Sequence, residues 1–263
     1  MIQTIVTHRC PQCGSENIVK NGHDYKGSQK YHCHECQSYG TLHAQRGYDE
    51  QTRAQIKRAV LERISLRGIE RLFGISRRTV ADWIEQWATQ LPPLDTTLLD
   101  ARLDDMLELD ELWSFVLKKA NQRWVWVALC RRTRQIVAYF IGDRSAASCL
   151  HLWRRIPWAY KRCHSFSDFW DAYQQVFAAD RHQSVGKDSG QTNHIERWFN
   201  TLRQRLARFV RKTLSFSKTD RFHEFVFRLF VHHYQATDHK RQQWCPVRKA
   251  QTQGAIRDGR PCF

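Results

Sequence analysis

The chain has 263 residues and carries 42 Lys and Arg against 26 Asp and Glu, a formal net charge of +16. Hydrophobic residues make up 41% and aromatic residues 12%, enough material for packed cores, so a disordered or collagen-like chain is excluded. The longest apolar run, Trp124 to Cys130, is far short of a membrane span, and Met1 to Arg9 has no signal-peptide core. A cytoplasmic, folded protein with a polyanionic partner is expected, nucleic acid first.

Residues 1–46 form a polar, Cys/His-rich segment with glycines at its turns. Cys10-Pro-Gln-Cys13 and Cys33-His-Glu-Cys36 are separated by 19 residues, the template for two knuckles around one structural Zn²⁺. Each Cys-x-x-Cys aims two sulfurs at one point, and two such turns complete a tetrahedron. Ile18 to Lys20 and Lys30 to His32 suit a small hairpin, too short to bury a core without metal. A disulfide pair and a redox dithiol are the competing readings, and His8, His23, His32 and His34 are spare ligands. The other five cysteines are scattered, as ordinary thiols are.

Residues 47–91 show helical periodicity. Ile56, Ala59, Val60 and Ile64 share one face. In Gly68 to Ile84, Leu72 and Phe73 are expected to point inward, Gly74 to turn, Ile75 to be buried and Ser76 to cap a second helix with Val80, Ile84 and Trp87 inside. Arg77, Arg78 and Thr79, with Asp82, then project where a recognition helix meets DNA, although an ordinary helical hairpin has the same pattern. Pro92-Pro93 ends the helix, and residues 92–105 read as a linker.

Residues 106–236 change character. Met106 to Val116, Arg123 to Cys130 and Gln135 to Gly142 read as a strand meander, followed by a helix from Ser145 to Trp153 and a short strand from His164 to Ser167. Helices are expected over about 190–212 and 218–235, and residues 237–263 form a basic tail. Carboxylates are scarce, so their positions carry information. Asp110 lies in the first strand, Asp168 ends the fourth and Glu196 sits on a helix. A three-strand meander, a crossover helix and a fourth strand beside the first is the ribonuclease-H-like layout, which would bring these acids together. Three converging carboxylates repel unless cations neutralise them, which implies Mg²⁺ or Mn²⁺. Two such ions about 3.5–4 Å apart suit in-line phosphoryl displacement.

On the helix carrying Glu196, Arg203 lies about 10 Å along the axis. Arg197, Arg205, Arg208 and Lys212 form a basic stripe suited to a phosphodiester backbone, and Ile195, Phe199, Leu202, Leu206 and Phe209 form the buried one. Glu108, Glu111, Asp143 and Asp171 are acids close to the chosen positions, with Asp143 read as a helix N-cap. Trp113, Trp124 and Trp126 fit strand cores; Trp170 and Trp198 flank the acids, with core packing favoured over base stacking.

From Cys10 to about Tyr234 the sequence resembles a DDE transposase of the insertion-sequence-1 family. The resemblance rests on the cysteine knuckles, Gly74-Ile-Ser-Arg-Arg-Thr79, Leu109-Asp-Glu-Leu-Trp113, Ser167-Asp-Phe-Trp-Asp-Ala-Tyr173, Asn193-His-Ile-Glu-Arg197 and, most specifically, Leu202 to Lys218. It implies a multidomain α+β chain: zinc ribbon, helix-turn-helix, then a ribonuclease-H-like α/β catalytic domain with a mixed sheet. It assigns Asp110, Asp168 and Glu196 to catalysis and Arg203 to the basic position after them. The implied partners are double-stranded DNA, as terminal inverted repeats and target, and a second copy of the chain or a higher oligomer; a bacterial or archaeal, nucleoid-associated location is implied as well. Such proteins are often made from two overlapping reading frames, whereas this chain is continuous. The rivals are a DNA-binding regulator with an inert carboxyl part, a tyrosine recombinase using Tyr234, and a structure-selective nuclease.

Overall fold

The computed structural model describes residues 7–24, 27–42 and 48–244, with side chains to Thr237. By contacts the chain divides into two compact units, Met1–Ala54 and Gln55–Phe263.

The first unit holds a three-stranded antiparallel sheet of β1 (Ile18–His23), β2 (Gln29–Cys33) and β3 (Tyr39–Thr41), in that order. Among its described residues only Cys10 and Cys33 are buried. The sheet therefore has no apolar core, and what converges on it is sulfur. The two knuckles repeat one geometry. The N–H of Cys10 reaches the carbonyl of Ser15 and that of Cys33 reaches Ser38, at 2.8 and 2.9 Å. Four residues after each first cysteine the backbone turns left-handed, at Gly14 (φ 76°) and at Gln37 (φ 59°).

The second unit begins within helix α1 (Glu50–Val60) and continues with α2 (Leu66–Phe73) and α3 (Arg77–Thr89). Ser65 caps α2 by accepting from the Gly68 N–H, and Ser76 caps α3 by accepting from Thr79, each covering an N–H the helix leaves open. Gly74 takes the left-handed conformation (φ 67°) that closes α2. Ile75, Val80 and Ile84 are buried as expected, but Leu72 is 69% and Phe73 39% exposed. Ile69 and Ile75, on either side of the turn, fill the interior, and the eight-residue α2 ends by swinging Leu72 and Phe73 outward.

The main sheet has five strands: β4 (Met106–Phe115), β5 (Gln122–Cys130), β6 (Ile136–Gly142), β7 (His164–Ser167) and β8 (His182–Ser184). Their order is β6-β5-β4-β7-β8, antiparallel through β6, β5 and β4 and parallel through β4, β7 and β8. Helices α4 (Ala146–Arg155), α5 (Trp158–Lys161) and α6 (Asp171–Val176) precede α7 (Asn193–Arg205) and α8 (Asp220–Trp244). Strand alternation divides the core. Leu107, Leu109, Trp126 and Ala128 pack with Cys149, Leu152 and Tyr173 of α4 and α6. Leu112, Val125, Val127 and Leu129 belong to a core that runs through α7 and α8 to Ile56, Ile69 and Ile84. The helix-turn-helix thus shares its core with the sheet.

Three further expectations meet a different structure. The segment 92–105 is pinned: Tyr160 donates to the Leu99 carbonyl at 2.7 Å, and Gln135 holds both Leu99 N–H and the Thr97 carbonyl. The helix expected over 190–212 stops at Arg205, where Leu206 is extended. Helix α8 runs to Trp244 rather than to about 235, because neither Gly nor Pro interrupts 220–244. Cys245 and Cys262 lie outside the described residues. No described helix is long and apolar enough to cross a membrane.

Candidate active site

Asp110 and Asp168 meet because of strand register. β4 and β7 pair in parallel with Glu108 opposite Phe166, and two residues farther the same register sets Asp168 beside Asp110. β7 has already ended at Ser167, so β4 has a free edge there. Ligand oxygens of Asp110, Glu111 and Asp168 lie within 4.8 Å of one another. Glu196 comes from α7. It shares with Asp110, Asp168 and Arg203 a cavity of about 410 Å³ that Arg144, Lys187 and Arg211 also line. All four residues anticipated from sequence thus face one space. The third member of the tight group, however, is Glu111 rather than Glu196.

The position of α7 has a local cause. Thr192, at the N-cap position, makes no side-chain cap. The fully buried carboxylate of Glu108 does so instead, accepting from the N–H groups of His194 (2.9 Å) and Ile195 (3.0 Å). Its other oxygen takes His194 Nδ1 at 2.6 Å and Arg131 Nε at 2.8 Å, and Arg131 also donates to the Gln191 carbonyl at 2.7 Å. Glu108 and Asp110 are two residues apart on one strand face, so the bond that ties down α7 also sets Glu196 opposite Asp110.

Electrostatics in the cavity follow from crowding. Burial, then repulsion from Glu111, Asp168 and Glu196, pushes the Asp110 carboxyl up to about 8. Burial and the Asp168 charge also raise Glu111. Glu111 has less freedom than its neighbours, because Arg144 donates twice to Oε1 (2.9 and 2.6 Å) and Tyr173 Oη donates to Oε2 at 2.8 Å. Arg144 is itself held between the rings of Trp124 and Trp170, at 4.4 and 4.2 Å. Burial lowers the Arg203 pKa, and the nearby Arg211 lowers it further. Oxygen-only ligands crowded to mutual repulsion are a donor set suited to hard divalent cations.

The second group able to hold a metal, among the described residues, is Cys10, Cys13, Cys33 and Cys36; no histidine joins it. Sγ separations of 3.6 Å for Cys10–Cys36 and for Cys13–Cys33 fit a tetrahedron. Zn–S bonds of about 2.3 Å would put sulfurs about 3.8 Å apart. Ser38 Oγ lies 3.2 Å from Cys10 and Cys36 and draws both thiols downward, Cys10 to about 6, toward the thiolate that zinc binds.

The anticipated DNA contacts divide. Arg78 is exposed at the start of α3, and Arg77, also exposed, pairs with Glu70 at 2.8 Å. Thr79 bonds the capping Ser76 at 2.9 Å. Arg77 and Arg78 border a groove of about 1050 Å³ together with Arg67, Arg71, Arg208 and Lys218. The single stripe expected along one helix does not form, since the helix ends at Arg205. Arg197 is exposed on α7 and Lys212 on the loop beyond. Arg205 pairs with Glu62 at 2.5 Å and lies over Phe230, and Arg208 donates to the Phe216 carbonyl at 3.1 Å. Trp198 is buried in the core, and Tyr234 packs against it and against Phe230 rather than lining the acid cavity.

Sequence reasoning set Glu108 and Glu111 aside as neighbours of the chosen acids and missed Arg144, Lys187 and Arg211. An acid two residues before Asp110 was a legible signal for Glu108, because strand alternation puts both on one face. Nothing local marks Arg144, which is placed by long-range pairing.

Comparison with known proteins supplies the deciding observation. Residues 106–236 match the family model described as IS1 transposase, and residues 48–95 match a homeodomain-like domain. The iso-IS1n protein InsB of Shigella dysenteriae is 38% identical over 124 residues, 47% of this chain and 92% of that protein. The chain belongs to the IS1 transposase family. The IS1 protein InsB of Shigella flexneri is 35% identical over 130 residues, 49% of this transposase and 96% of the relative. The IS1 4 protein InsB of Escherichia coli K12 is 34% identical over 130 residues, 49% and 75% of the two chains. The IS1 transposase match spans the five-stranded sheet and its acids. The amino-terminal cysteine sheet lies outside both family-model matches.

Proposed function

We propose that this transposase binds the terminal inverted repeats of its own element through a zinc ribbon and the helix-turn-helix, cuts the phosphodiester at Asp110, Asp168 and Glu196, and joins the freed 3′-hydroxyl to target DNA. The convergence of three acids from β4, the end of β7 and α7 in one cation-rimmed cavity carries this reading. The order β6-β5-β4-β7-β8, with the first and fourth strands of this unit adjacent, supports a ribonuclease-H-like reading.

Asp110, Asp168 and Glu196 would hold the divalent ions, Mg²⁺ or Mn²⁺. Those ions would neutralise the acids and supply Lewis-acid stabilisation of the charge that develops on phosphoryl transfer. The chain's own groups then divide the work. Arg203 and Arg211 stand at the cavity wall to meet the non-bridging phosphate oxygens. Glu111 keeps the Arg144 guanidinium in place, and Glu108 keeps Glu196 in register. Arg77, Arg78 and Thr79, with Arg197, Arg208 and Lys212, supply contacts to the DNA backbone, while Arg205 contributes through its packing. Cys10, Cys13, Cys33 and Cys36 hold one structural zinc. Two DNA ends imply at least two copies of the chain, acting in the cytoplasm.

The experiment is purified protein with Mg²⁺ and a duplex bearing the element's ends. Nicking and strand joining are expected, without a covalent protein–DNA adduct. Asp110→Asn should abolish both and still bind the ends. It should also raise the melting temperature, because it removes the repulsion that Glu111, Asp168 and Glu196 exert at this position. End binding without cutting by the unmodified protein would reduce it to a regulator, and a trapped phosphotyrosine would replace the mechanism.

A further inference from the structure

Beyond the acid cavity, the same sheet leaves an aromatic surface uncovered. Trp113 and Trp124 are cross-strand partners on β4 and β5, on the face that carries Glu111 and Trp126 one pair farther along. Trp126 is fully buried. Trp124 packs partly against the core of α4 and α6, with Arg144 over its ring. Trp113 is half-exposed and belongs to neither core cluster, contrary to the strand-core role expected for it. Only Phe115 meets its ring, at 5.7 Å and tilted by 38°, among the described aromatic contacts.

Around these rings stand Lys119, Arg211 and Lys212, and the five residues line an open groove of about 410 Å³. Trp124 and Arg211 also line the acid cavity, so groove and cavity adjoin across these two side chains. Elsewhere the sheet's arginines are matched with acids, Arg123 with Asp220, Arg132 with Asp105 and Arg144 with Glu111. Lys119, Arg211 and Lys212 make no ion pair among the described residues. An unsatisfied cationic rim over an indole floor matches the two faces of a nucleotide, charged backbone and apolar base. A paired base shows only its edge in a duplex groove, so stacking on Trp113 requires an unpaired one.

We propose that this groove binds unpaired nucleotides of the strand whose phosphodiester lies at the acids: a base stacks on Trp113, and flanking phosphates meet Arg211, Lys212 and Lys119. The proposal rests on the reading that the acid cavity processes DNA, and it adds that the strand reaches the cavity locally melted.

The test is fluorescence anisotropy of a labelled ten-residue oligothymidylate with full-length, zinc-loaded protein and no added magnesium. Because nothing is cut under these conditions, the result is independent of whether Asp110, Asp168 and Glu196 are catalytic. Trp113→Ala and Trp113→Leu should each weaken binding about tenfold, and Trp113→Phe should restore most of it. Leu fills the volume without a π face, so a folding defect in the Ala variant does not decide the outcome. Lys212→Ala should weaken binding and reduce the slope of log affinity against log salt by about 0.7. Absence of oligothymidylate binding, wild-type affinity in Trp113→Leu, or an unchanged salt slope in Lys212→Ala would each overturn the proposal.

Discussion

The three-stranded sheet of residues 18–41 and the five-stranded sheet of residues 106–184 each gather metal-binding side chains, by opposite means. In the first, Cys10 and Cys33 alone are buried among the described residues, and the sulfurs themselves are the interior. In the second, apolar layers on both faces fix the backbone, and the acids are held near one another at β4's free edge although their charges repel. With zinc at the four sulfurs as proposed, the first sheet depends on its ion to fold, whereas the second folds on its own core and would gain affinity for ions from enforced crowding.

The largest effect that could break this contrast is zinc removal. Structural zinc sites of this kind are worth roughly 10–16 kcal/mol, far more than the cysteine sheet can replace. Chelation, or Cys33→Ser, should abolish amide-exchange protection in β1 to β3 while protection in β4 to β7 stays as it was. Persisting protection of β1 to β3 in chelator would mean that the ion is dispensable there.

Next in size is Glu108. Removing one partner of a buried, hydrogen-bonded charge pair costs roughly 3–5 kcal/mol. Glu108→Ala leaves Arg131 and the first N–H groups of α7 without their acceptor, so it should destabilise the second unit by that amount in urea melts and depress cutting as Glu196 loses its anchor. Glu108→Gln can still accept both N–H bonds and should retain part of the activity. Equal cutting by all three proteins at a temperature where each is folded would make Glu108 a stability residue only.

A smaller effect is expected on acidification. His223 is fully buried between the hydroxyls of Ser114 (3.0 Å) and Ser217 (3.1 Å), and burial, with Arg208 nearby, holds it down to about 4. Its folded-state value is below the unfolded one, so the unfolded chain takes up the proton first. The stability this group contributes is complete above about pH 6.5 and is lost as pH falls toward 4, by up to about 3 kcal/mol. His223→Gln should flatten the stability profile of the second unit across that window, and an unchanged profile would assign the acid sensitivity to other groups.

Much of this contrast is legible in residue order. The cysteine spacing, the cap Ser76, and the strands carrying Asp110 and Asp168 follow from local chemistry, and local chemistry is what a sequence displays. Glu111 and Arg144 could not be read this way. Their roles depend on Tyr173 and Trp170 at the start of α6 and on Trp124 of β5, all distant from them in sequence. The same limit explains Leu72 and Phe73, whose helical spacing fits an inward stripe until Ile69 and Ile75 occupy the space.

The finest test lies within the cysteine sheet, at the position that follows the second cysteine of each knuckle. Gly14 and Gln37 both adopt left-handed backbone. Glycine does so freely, whereas a residue with a Cβ is disfavoured by roughly 1–2 kcal/mol. Gln37 recovers some of this through its side-chain donation to the His34 carbonyl at 2.9 Å, an exposed bond of small net worth. Gln37→Gly gives back some entropy to the unfolded chain, so the net gain should be about 0.5–1 kcal/mol. Because the proposed zinc site would couple folding of this sheet to its ion, the gain should register as roughly two- to fivefold tighter zinc binding in competition with a chromophoric chelator. Gly14→Gln should shift affinity the other way by a similar factor. If neither substitution moves the zinc affinity, the knuckle backbone is set by something other than the ion, and the contrast between the two sheets weakens at its own centre.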